Sequence, residues 1–293
     1  MSRRISLIVN PSAGGGRAAR ALPRVEARLD ALGVPFHTER TRDLAHAREL
    51  AVAAADAGEV AVTLSGDGLV GCVAGALLGV EGAVIGVLPG GRGNDFARVA
   101  GIPLDCEAAC QVVADGVERP LDLGVVAGGP AFIGIASLGF DSEANRIANE
   151  APARLGNLVY LYGALRALAT WKHATFEVDV DGVRHAFSGW SVAAANSKAY
   201  GGGMFLAPDA ELDDGALDVV LSAGTGKLRF LRSIPKVFKG RHVDEPSVTI
   251  VRGTEIRVSA DRPFTVYADG DPIGELPITL RAVPAALKVL VPR

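Results

Sequence analysis

Short apolar runs alternate with amphipathic stretches over residues 1–120. Continuous apolar runs of about five residues, bounded by turn residues, are typical of strands buried on both faces of a parallel sheet. Such runs predict strands over residues 5–9, 34–38, 60–64 and 83–88. Apolar residues at helical spacing predict helices over residues 17–32, 44–57, 70–78 and 95–100. The alternation predicts a doubly wound parallel sheet that binds its ligand at the carboxyl ends of the strands.

The pattern changes near Leu121, where strand-like runs begin to follow one another without helices between them. These runs cover residues 121–126, 131–137, 175–180, 183–187, 191–195, 217–221, 247–251, 255–259, 264–268, 278–282 and 287–291. Successive strands of this kind predict an antiparallel β-sandwich. Helical stretches near 153–171 and 227–239 interrupt it. We therefore expect an α/β domain over residues 1–123 and an all-β domain over residues 124–284.

Composition and charge narrow the classes of protein to consider. Hydrophobic residues make up 49% of the 293 residues, enough for a soluble chain with a large core. The net charge of −3 excludes a general nucleic-acid-binding protein, which needs a basic surface. The three cysteines form no CxxC pair, and the apolar run after Arg3 and Arg4 is too short for a signal peptide. Both features predict a soluble protein of the cytoplasm.

Two glycine-rich turns follow predicted strands and carry the first candidate chemistry. They are Leu64-Ser-Gly-Asp-Gly68 and Leu88-Pro-Gly-Gly-Arg-Gly-Asn-Asp95. A strand, a tight turn and a helix place free backbone N–H groups beside an anion, and the carboxylates of Asp67 and Asp95 suggest a magnesium ion. The spacings GxxxxGK[ST] and GxGxxG are absent, which argues against a Walker-type ATPase and an ordinary dinucleotide dehydrogenase. The turns predict a site for a nucleotide triphosphate and its metal.

Several motifs, taken in order, resemble one family. They are Asn10-Pro-Ser-Ala-Gly14, Ser65-Gly-Asp-Gly68, Pro89-Gly-Gly-Arg-Gly-Asn-Asp-Phe-Ala-Arg98, Tyr200-Gly-Gly-Gly-Met204, Ala207-Pro-Asp-Ala-Glu-Leu-Asp-Asp-Gly215 and Ala268-Asp-Gly-Asp271. Together they resemble the diacylglycerol kinase catalytic domain, a family that includes soluble bacterial lipid kinases, sphingosine kinases and ceramide kinases, with NAD kinases as distant relatives. The resemblance implies an α/β nucleotide domain followed by a β-sandwich, with a terminal strand at about 285–293 that returns to the first domain.

The resemblance also implies roles for individual residues. Asp269 matches the general base that deprotonates the lipid hydroxyl, and Asp67, Asp95 and Asp271 match the carboxylates around the catalytic magnesium. Asp271 stands where the family usually has glutamate. The residues that match the ATP site are Asn10, Thr41, Ser65, Gly66, Asp67, Gly68, Leu69, Val70, Gly71, Cys72 and Arg92.

A second, structural magnesium is implied in the soluble bacterial members. Its ligands by position are the Asp214 side chain and the carbonyls of Glu211 and Ala216. A surface Asp-Asp-Gly turn is an equal alternative for this stretch on sequence alone.

The chain departs from the family pattern in the ATP turns. Leu69 replaces a threonine, Gly71 and Cys72 replace an Asn-Glu pair, and Arg92 replaces a second threonine, where it can supply a cation to the phosphates. None of these changes removes an essential carboxylate.

The stretch 269–271 has two interpretations. In an extended chain, residues two apart point the same way, so the carboxylates of Asp269 and Asp271 would share one side. Asp-Gly is also a hairpin turn sequence, here between the runs 264–268 and 278–282. The family context favours catalysis.

The segment Lys227–Arg241 contains six cations and no acid, with apolar residues near one helical face. Such a segment can dock on anionic lipid headgroups, or it can be a packed helix with a solvated basic face. Residues 134–141 and the helix around 155–168 are candidates for the lipid pocket, with Asp141 and Asn196 as polar residues that could reach it.

We therefore expect an ATP- and magnesium-dependent lipid kinase that acts peripherally at a membrane and forms a possible homodimer. Diacylglycerol is the first candidate acceptor. The alternatives are a sphingoid base, ceramide or an acylglycerol, then an NAD kinase, and finally a nucleotide-binding regulator without catalysis.

Overall fold

The computed structural model describes residues 3–150 and 159–293. The helices are α1 (Ala13–Ala31), α2 (Leu44–Asp56), α3 (Asp67–Ala76), α4 (Asp95–Val99), α5 (Cys106–Asp115), α6 (Phe140–Glu150), α7 (Val159–Thr170) and α8 (Lys227–Val237), with a 3-10 helix at Arg241–Asp244. The strands of the first half are β1 (Ile5–Val9), β2 (Phe36–Arg40), β3 (Val60–Ser65), β4 (Val84–Pro89) and β5 (Val117–Val126). Those of the second half are β6 (Ala131–Phe132), β7 (Ile135–Gly139), β8 (Ala174–Val180), β9 (Val183–Ala195), β10 (Leu217–Ala223), β11 (Val248–Gly253), β12 (Glu255–Ala260), β13 (Thr265–Ala268), β14 (Asp271–Glu275) and β15 (Ile278–Val291).

The first half is a parallel sheet in the order β2-β1-β3-β4, with helices on its faces. Strands β1 and β3 are buried throughout, as expected for apolar runs covered on both sides. Helix α1 packs against α5, and α2 packs against α3. The chain leaves β1 toward β2 on one side and returns to β3 on the other. This reversal opens a crevice at the carboxyl ends of β1 and β3. The predicted α/β fold is therefore confirmed, and binding of a ligand at this edge stays a prediction.

The second half is antiparallel, in the order β14-β13-β7-β9-β8-β12, with β10 also paired to β9 and β11 paired to β10. Strand β15 connects the two halves. It pairs antiparallel with β12 and β5, and near its end Lys288 pairs in parallel with Val84 of β4. The two main hydrophobic cores lie on either side of this strand, one built from residues 5–133 and 287–291 and the other from residues 132–280. The exact domain boundaries stay a prediction.

The observed elements differ from the predicted ones at several points. The predicted strands 183–187 and 191–195 are one strand, β9, because Gly189 lets the backbone pass close to Ser222, whose carbonyl oxygen would lie 2.2 Å from an added Cβ. The runs 278–282 and 287–291 are likewise one strand, β15, with a register shift between Val283 and Leu287. Helices α5 and α6 were not predicted. The Asp105 side chain, which accepts the Ala108 N–H, was the available signal for the start of α5.

The interrupting helices are α7 and α8. The predicted first residues of the helix at 153–171 lie outside the described residues. No helix in the described part of the chain is both long and apolar enough to cross a lipid bilayer.

Candidate active site

Three glycine turns meet at the carboxyl edge of the parallel sheet. The turn after β1 touches the turn after β4, because a Cβ on Gly14 would lie 2.6 Å from the Gly90 carbonyl oxygen. The turn after β3 also touches it, because a Cβ on Gly66 would lie 3.2 Å from the Gly91 Cα. Small residues are therefore required where the backbones cross. The guanidinium of Arg17, at the first helical turn of α1, donates to the Gly91 carbonyl oxygen at 2.9 Å. Arg17 lines the cleft, and sequence reasoning missed it.

Asp67 and Asp95 present carboxylates to one region of space above these turns. A Cβ on Gly93 would lie 3.2 Å from Asp95 Oδ2 and 3.3 Å from Asp67 Oδ2. Backbone donors orient both groups: Asp67 Oδ1 accepts the Phe96 N–H at 3.0 Å, and Asp95 Oδ2 accepts the Gly202 N–H at 2.7 Å. Burial raises the pKa of Asp95, and the neighbouring Asp67 charge adds to that rise. The structure therefore brings together two of the three carboxylates predicted for the metal.

This pair fits a hard cation. Asp95 Oδ1 is buried and has no hydrogen-bond partner among the described residues. The Arg98 guanidinium lies 3.9 Å away as an ion pair and leaves the oxygen able to accept a metal ion or a water bound to one. No cluster of three or more His, Cys, Asp or Glu side chains suited to a metal occurs among residues 3–150 and 159–293. Two protein carboxylates with waters and phosphate oxygens are, however, an ordinary set for Mg²⁺ in kinases.

The segment Tyr200–Met204 holds the Asp95 carboxylate from the other half of the molecule. Gly201, Gly202 and Gly203 have φ values of 63°, 85° and 105°, a run in the left-handed region that glycine adopts without strain. The run turns backbone N–H groups of Gly202 and Gly203 toward Asp95. Three consecutive glycines were the signal in the sequence, but their partner was 107 positions away.

Asp269 lies in a two-residue hairpin turn between β13 and β14. Ala268 pairs with Asp271, and the turn residues Asp269 and Gly270 have φ values of 53° and 98°. Both positive values match the tight hairpin turn favoured by Asp-Gly. The turn interpretation is therefore correct, but its partner strand is β14 and not the run 278–282. Contrary to the prediction, Asp269 and Asp271 do not share one side of an extended chain, because Asp269 is not extended. That prediction is wrong.

The turn aims the Asp269 carboxylate into the junction between the two halves. Its Oδ2 accepts the Ile133 N–H at 2.8 Å and its Oδ1 accepts the Gly134 N–H at 2.9 Å. A Cβ on Gly71 of α3 would lie 2.6 Å from Oδ2, and a Cβ on Gly134 would lie 2.4 Å from Oδ1. The carboxylate thus occupies space that exists because both neighbours are glycine.

Burial raises the pKa of Asp269 to about 7, with further contributions from the charges of Asp67 and Asp271, against the lowering effect of the two backbone N–H groups. A carboxylate that titrates near neutrality is suited to take a proton from an alcohol. The position of Asp269 between the glycine turns and the cleft fits the role of base that the resemblance implies.

This shift predicts a pH-dependent cost of keeping Asp269 ionised in the folded protein. Between its ordinary pKa of 3.8 and about 7, the folded state holds the proton and the unfolded state does not, so the free energy of unfolding falls as the pH rises. We expect Asp269→Asn to remove this fall. The variant's stability relative to the parent should increase by about 2 kcal/mol from pH 4 to pH 8, below the limit of about 4 kcal/mol for the full shift because the cleft admits water.

Urea unfolding at a series of pH values, in chelator to keep metal away, measures this difference. Asp261→Asn, on an exposed loop, is the matched control and should show no such trend. A flat difference between the Asp269→Asn variant and the parent would mean that Asp269 is ionised normally.

Asp271 lies beside the first turn and is exposed. Its Oδ2 would be 3.7 Å from a Cβ on Gly68, and its charge acts on Asp269. It therefore lies near Asp269 and beside the turn that carries Asp67, and its part in binding the metal stays a prediction.

The remaining predicted ATP residues fall into two groups. Gly66, Gly68 and Arg92 line the cleft together with Asp67. The others do not line it: Asn10, Thr41, Ser65, Leu69, Val70, Gly71 and Cys72. Leu69 and Val70 are buried in the first core, so only their backbone is available to a nucleotide.

The side chains of Asn10, Thr41 and Cys72 stabilise local structure. Asn10 accepts the Ser12 N–H, Thr41 donates to the Val9 carbonyl oxygen, and Cys72 donates to the Leu44 carbonyl oxygen. Their role in ATP binding stays a prediction.

A cleft of about 870 Å³ opens between the two halves, and Asp269 and the glycine turns line it. Its far wall is apolar, with Trp190 stacked on Phe230 at 3.8 Å between ring centroids and Phe140 edge-on to both. Asp141 also lines the cleft and accepts hydrogen bonds from the Tyr200 and Ser191 side chains. Burial raises the Asp141 pKa to about 6. The cleft therefore combines an aromatic wall with numerous polar groups, and small-molecule sites join both kinds of lining.

Asn196 does not reach this cleft. It is fully buried, and its side-chain amide donates to the carbonyl oxygens of Asp122 and Ile133 at 2.9 and 3.0 Å. Its backbone N–H donates to the Gly134 carbonyl oxygen. Asn196 therefore fixes the segment whose N–H groups bind Asp269, which is a positioning role and not contact with the lipid.

The implied structural metal site has other contacts here. Asp214 forms an ion pair with Arg252 and also accepts the Ala216 N–H, while Glu211 pairs with Lys198 at 3.4 Å. Both oxygens of Asp214 face donors in this arrangement, so the residues do not fit a cation unless Arg252 moves. The structural magnesium stays a prediction.

Comparison with known proteins gives two family matches that cover nearly all of the chain. Residues 4–126 match the diacylglycerol kinase catalytic domain, and residues 134–291 match the YegS C-terminal NAD kinase beta sandwich-like domain. The second match confirms the expected all-β second half.

Named relatives and a solved structure are also similar to this chain over most of its length. The chain is 34% identical to a diacylglycerol kinase of Mycobacterium tuberculosis, over 99% of this chain and 96% of the relative. It is 31% identical to a probable YegS-like lipid kinase of Klebsiella pneumoniae, over 80% of this chain and 78% of the relative. A putative diacylglycerol kinase from Bacillus anthracis has the same fold, with a TM-score of 0.85 at 23% identity over 99% of this chain and 95% of that one.

Proposed function

Because this chain belongs to the diacylglycerol kinase catalytic domain family of lipid kinases, we propose that it transfers the γ-phosphate of ATP to the free hydroxyl of diacylglycerol, with Mg²⁺, to give phosphatidate. One observation carries the proposal. The Asp269 carboxylate lies where the glycine turns that suit a triphosphate meet a cleft with an aromatic wall that suits acyl chains. Phosphoryl transfer needs this juxtaposition of phosphate, acceptor oxygen and base.

The acceptor end of the reaction follows from the position of Asp269. Its carboxylate takes the proton of the lipid hydroxyl as the oxygen forms a bond to the γ-phosphorus. The bond from that phosphorus to the β–γ bridging oxygen breaks, and ADP leaves with the electron pair. The pKa of Asp269 near 7 allows it to be partly ionised at neutral pH and still basic enough to accept the proton.

The donor end of the reaction uses the glycine turns. Gly66, Asp67 and Gly68 at the start of α3 line the cleft, and the positive end of a helix favours phosphate. Arg17 and Arg92 line the same region and supply cations for the phosphate oxygens. Mg²⁺, held through Asp67 and Asp95, would neutralise the charge that develops on the transferred group.

The cleft wall supports a lipid over NAD as the acceptor. Phe140, Trp190 and Phe230 form one aromatic cluster, while a nucleoside would need several hydrogen-bonding partners for its base and ribose. Asp141 and Tyr200 are the polar pair that can meet the glycerol end. Sphingoid bases, ceramide and acylglycerols stay as alternatives, since each has an acyl or alkyl chain and a primary hydroxyl. The homodimer stays a prediction.

A screen with labelled ATP tests the proposal. Diacylglycerol, monoacylglycerol, sphingosine, ceramide and NAD are each presented in detergent micelles or solution with Mg²⁺. We expect transfer to diacylglycerol at a rate well above the others. A faster transfer to another lipid would correct the acceptor, and no transfer to any of them would support the nucleotide-binding regulator.

A further inference from the structure

Helix α8 has two different faces. On one, Phe230, Ser233, Ile234 and Val237 line the cleft. We propose that the opposite face docks the protein on an anionic lipid bilayer and that α8 thereby places the cleft mouth at the membrane surface. This inference rests on the proposed function, because that function supplies the lipid substrate. Binding to vesicles tests it separately from kinase activity.

The outward face carries apolar side chains that are partly to largely exposed. Leu228 is 71% exposed, Leu231 38% and Phe238 50%, and Pro235 between them is exposed as well. Their spacing of three, four and three residues places them in one stripe along the helix. None of the residues of α8 is buried, although its inward face touches the cleft. An exposed apolar stripe of this length on a helix that carries many cations is typical of helices at the lipid headgroup boundary.

The cations divide into two sets. Arg229 and Lys236 form ion pairs with Glu245, and Lys227 donates to the Ala169 carbonyl oxygen. The other three are Arg232, Lys239 and Arg241. They are exposed and have no ion pair within residues 3–150 and 159–293. On a helical projection Arg232 lies directly beside the apolar stripe, and Lys239 follows in the turn just after α8. They are therefore placed to contact phosphate groups while Leu228 and Leu231 enter the acyl boundary.

A bilayer fits this surface better than a second copy of the chain. In a twofold dimer the stripe would meet itself, and Arg232 and Lys239 would face the same cations across the interface. Anionic headgroups neutralise those charges, although the chain as a whole has a net charge of −3.

The consequence concerns the route of the substrate. With the outer face of α8 in the headgroup layer, its inner face and the aromatic wall continue the apolar environment toward Asp269. A lipid can then enter the cleft past α8 while its chains remain shielded from water.

Vesicle sedimentation tests the docking surface. The protein is mixed with vesicles of phosphatidylcholine alone or with phosphatidylglycerol added. We expect binding to the anionic vesicles only, and a roughly 100-fold weaker partition for Arg232→Glu/Lys239→Glu/Arg241→Glu, since each cation contributes about fivefold. The matched control is Arg40→Glu/Arg119→Glu/Arg184→Glu, which makes the same charge change at exposed sites without ion pairs in the described part of the chain. Control binding reduced as strongly as that of the α8 variant would overturn the proposal.

A second variant removes the stripe and leaves the charges. Leu228→Ser/Leu231→Ser/Phe238→Ser should also lose sedimentation, and unchanged binding would contradict insertion. A concentration-dependent dimer that the stripe variant abolishes would assign the face to a second copy and overturn the membrane docking.

Phosphorylation of a short-chain diacylglycerol in detergent micelles separates this inference from the proposed function. The docking variants should phosphorylate the micellar substrate at a rate within about twofold of the parent rate. Access to a substrate in a micelle does not require docking on a bilayer. Vesicle binding without phosphorylation of any lipid would leave docking intact and refute the kinase proposal.

Discussion

Asp269→Asn should lower kcat for lipid phosphorylation by about 10³-fold while ATP binding stays within a few-fold of the parent. The amide has nearly the same shape as the carboxylate and keeps the hairpin turn, since asparagine also adopts positive φ with little strain. It cannot accept a proton at neutral pH. The loss should therefore fall on the chemical step and not on nucleotide affinity.

The measurement combines steady-state kinetics with titration of ATP by calorimetry. Asp261→Asn makes the same chemical change on an exposed loop and should retain activity within twofold. If the Asp269→Asn variant kept a tenth or more of the parental kcat, another group would have to accept the proton of the lipid hydroxyl. Asp141, also in the cleft and with a pKa of about 6, is the group to test next.

Much of this arrangement could be predicted from the sequence, because its signals are local. The buried strands, the glycine turns and the Asp-Gly hairpin are each determined by a few adjacent residues. The family resemblance identified Asp67, Asp95 and Asp269, and the structure places the first two 28 positions apart around one region of space. The predicted fold followed from the same local patterns.

The contacts between the halves could not be predicted, since they join residues more than a hundred positions apart. Nothing near Gly202 indicates that its N–H binds Asp95, and nothing near Ile133 indicates that its N–H binds Asp269. The hydrogen bonds of Asn196 also join residues far apart in the sequence and could not be predicted. Its polarity suggested a place in the lipid pocket, but two distant carbonyl oxygens bury it in the junction.

Gly71 is the departure from the family pattern to which the structure gives a specific meaning. Where the family usually has asparagine, this chain has no side chain, and the Asp269 carboxylate occupies that space. On the other side of the carboxylate, the backbone N–H groups of Ile133 and Gly134 donate to it. A sequence reader sees only the loss of a polar residue. The structure shows that the loss makes room for the Asp269 carboxylate.

Gly71→Ala should therefore lower kcat by about 100-fold with little change in the stability of the protein. A Cβ at Gly71 would lie 2.6 Å from Asp269 Oδ2, so the carboxylate must move and its hydrogen bond from the Ile133 N–H must lengthen or break. The weakened hydrogen bond costs stability, but alanine is a better helix former than glycine by about 1 kcal/mol and α3 has a regular backbone here. The two effects oppose each other, so the free energy of unfolding should change by no more than about 1 kcal/mol. Loss of activity with little change in stability would identify a positioning effect on Asp269.

Gly75→Ala, one helical turn further along α3, is the matched control. Its added Cβ would meet the Ala131 Cβ at 3.4 Å, an ordinary contact, and kcat should stay within twofold of the parent. The KM for ATP should be nearly unchanged in both variants, because neither side chain lines the cleft at the phosphate turns. Equal activity of the two alanine variants would mean that Asp269 works from another position than the one between Gly71 and Gly134. A kcat reduced at Gly71 alone, with the KM for ATP preserved, ties catalysis to the carboxylate in the place where the two glycines and the two backbone N–H groups hold it.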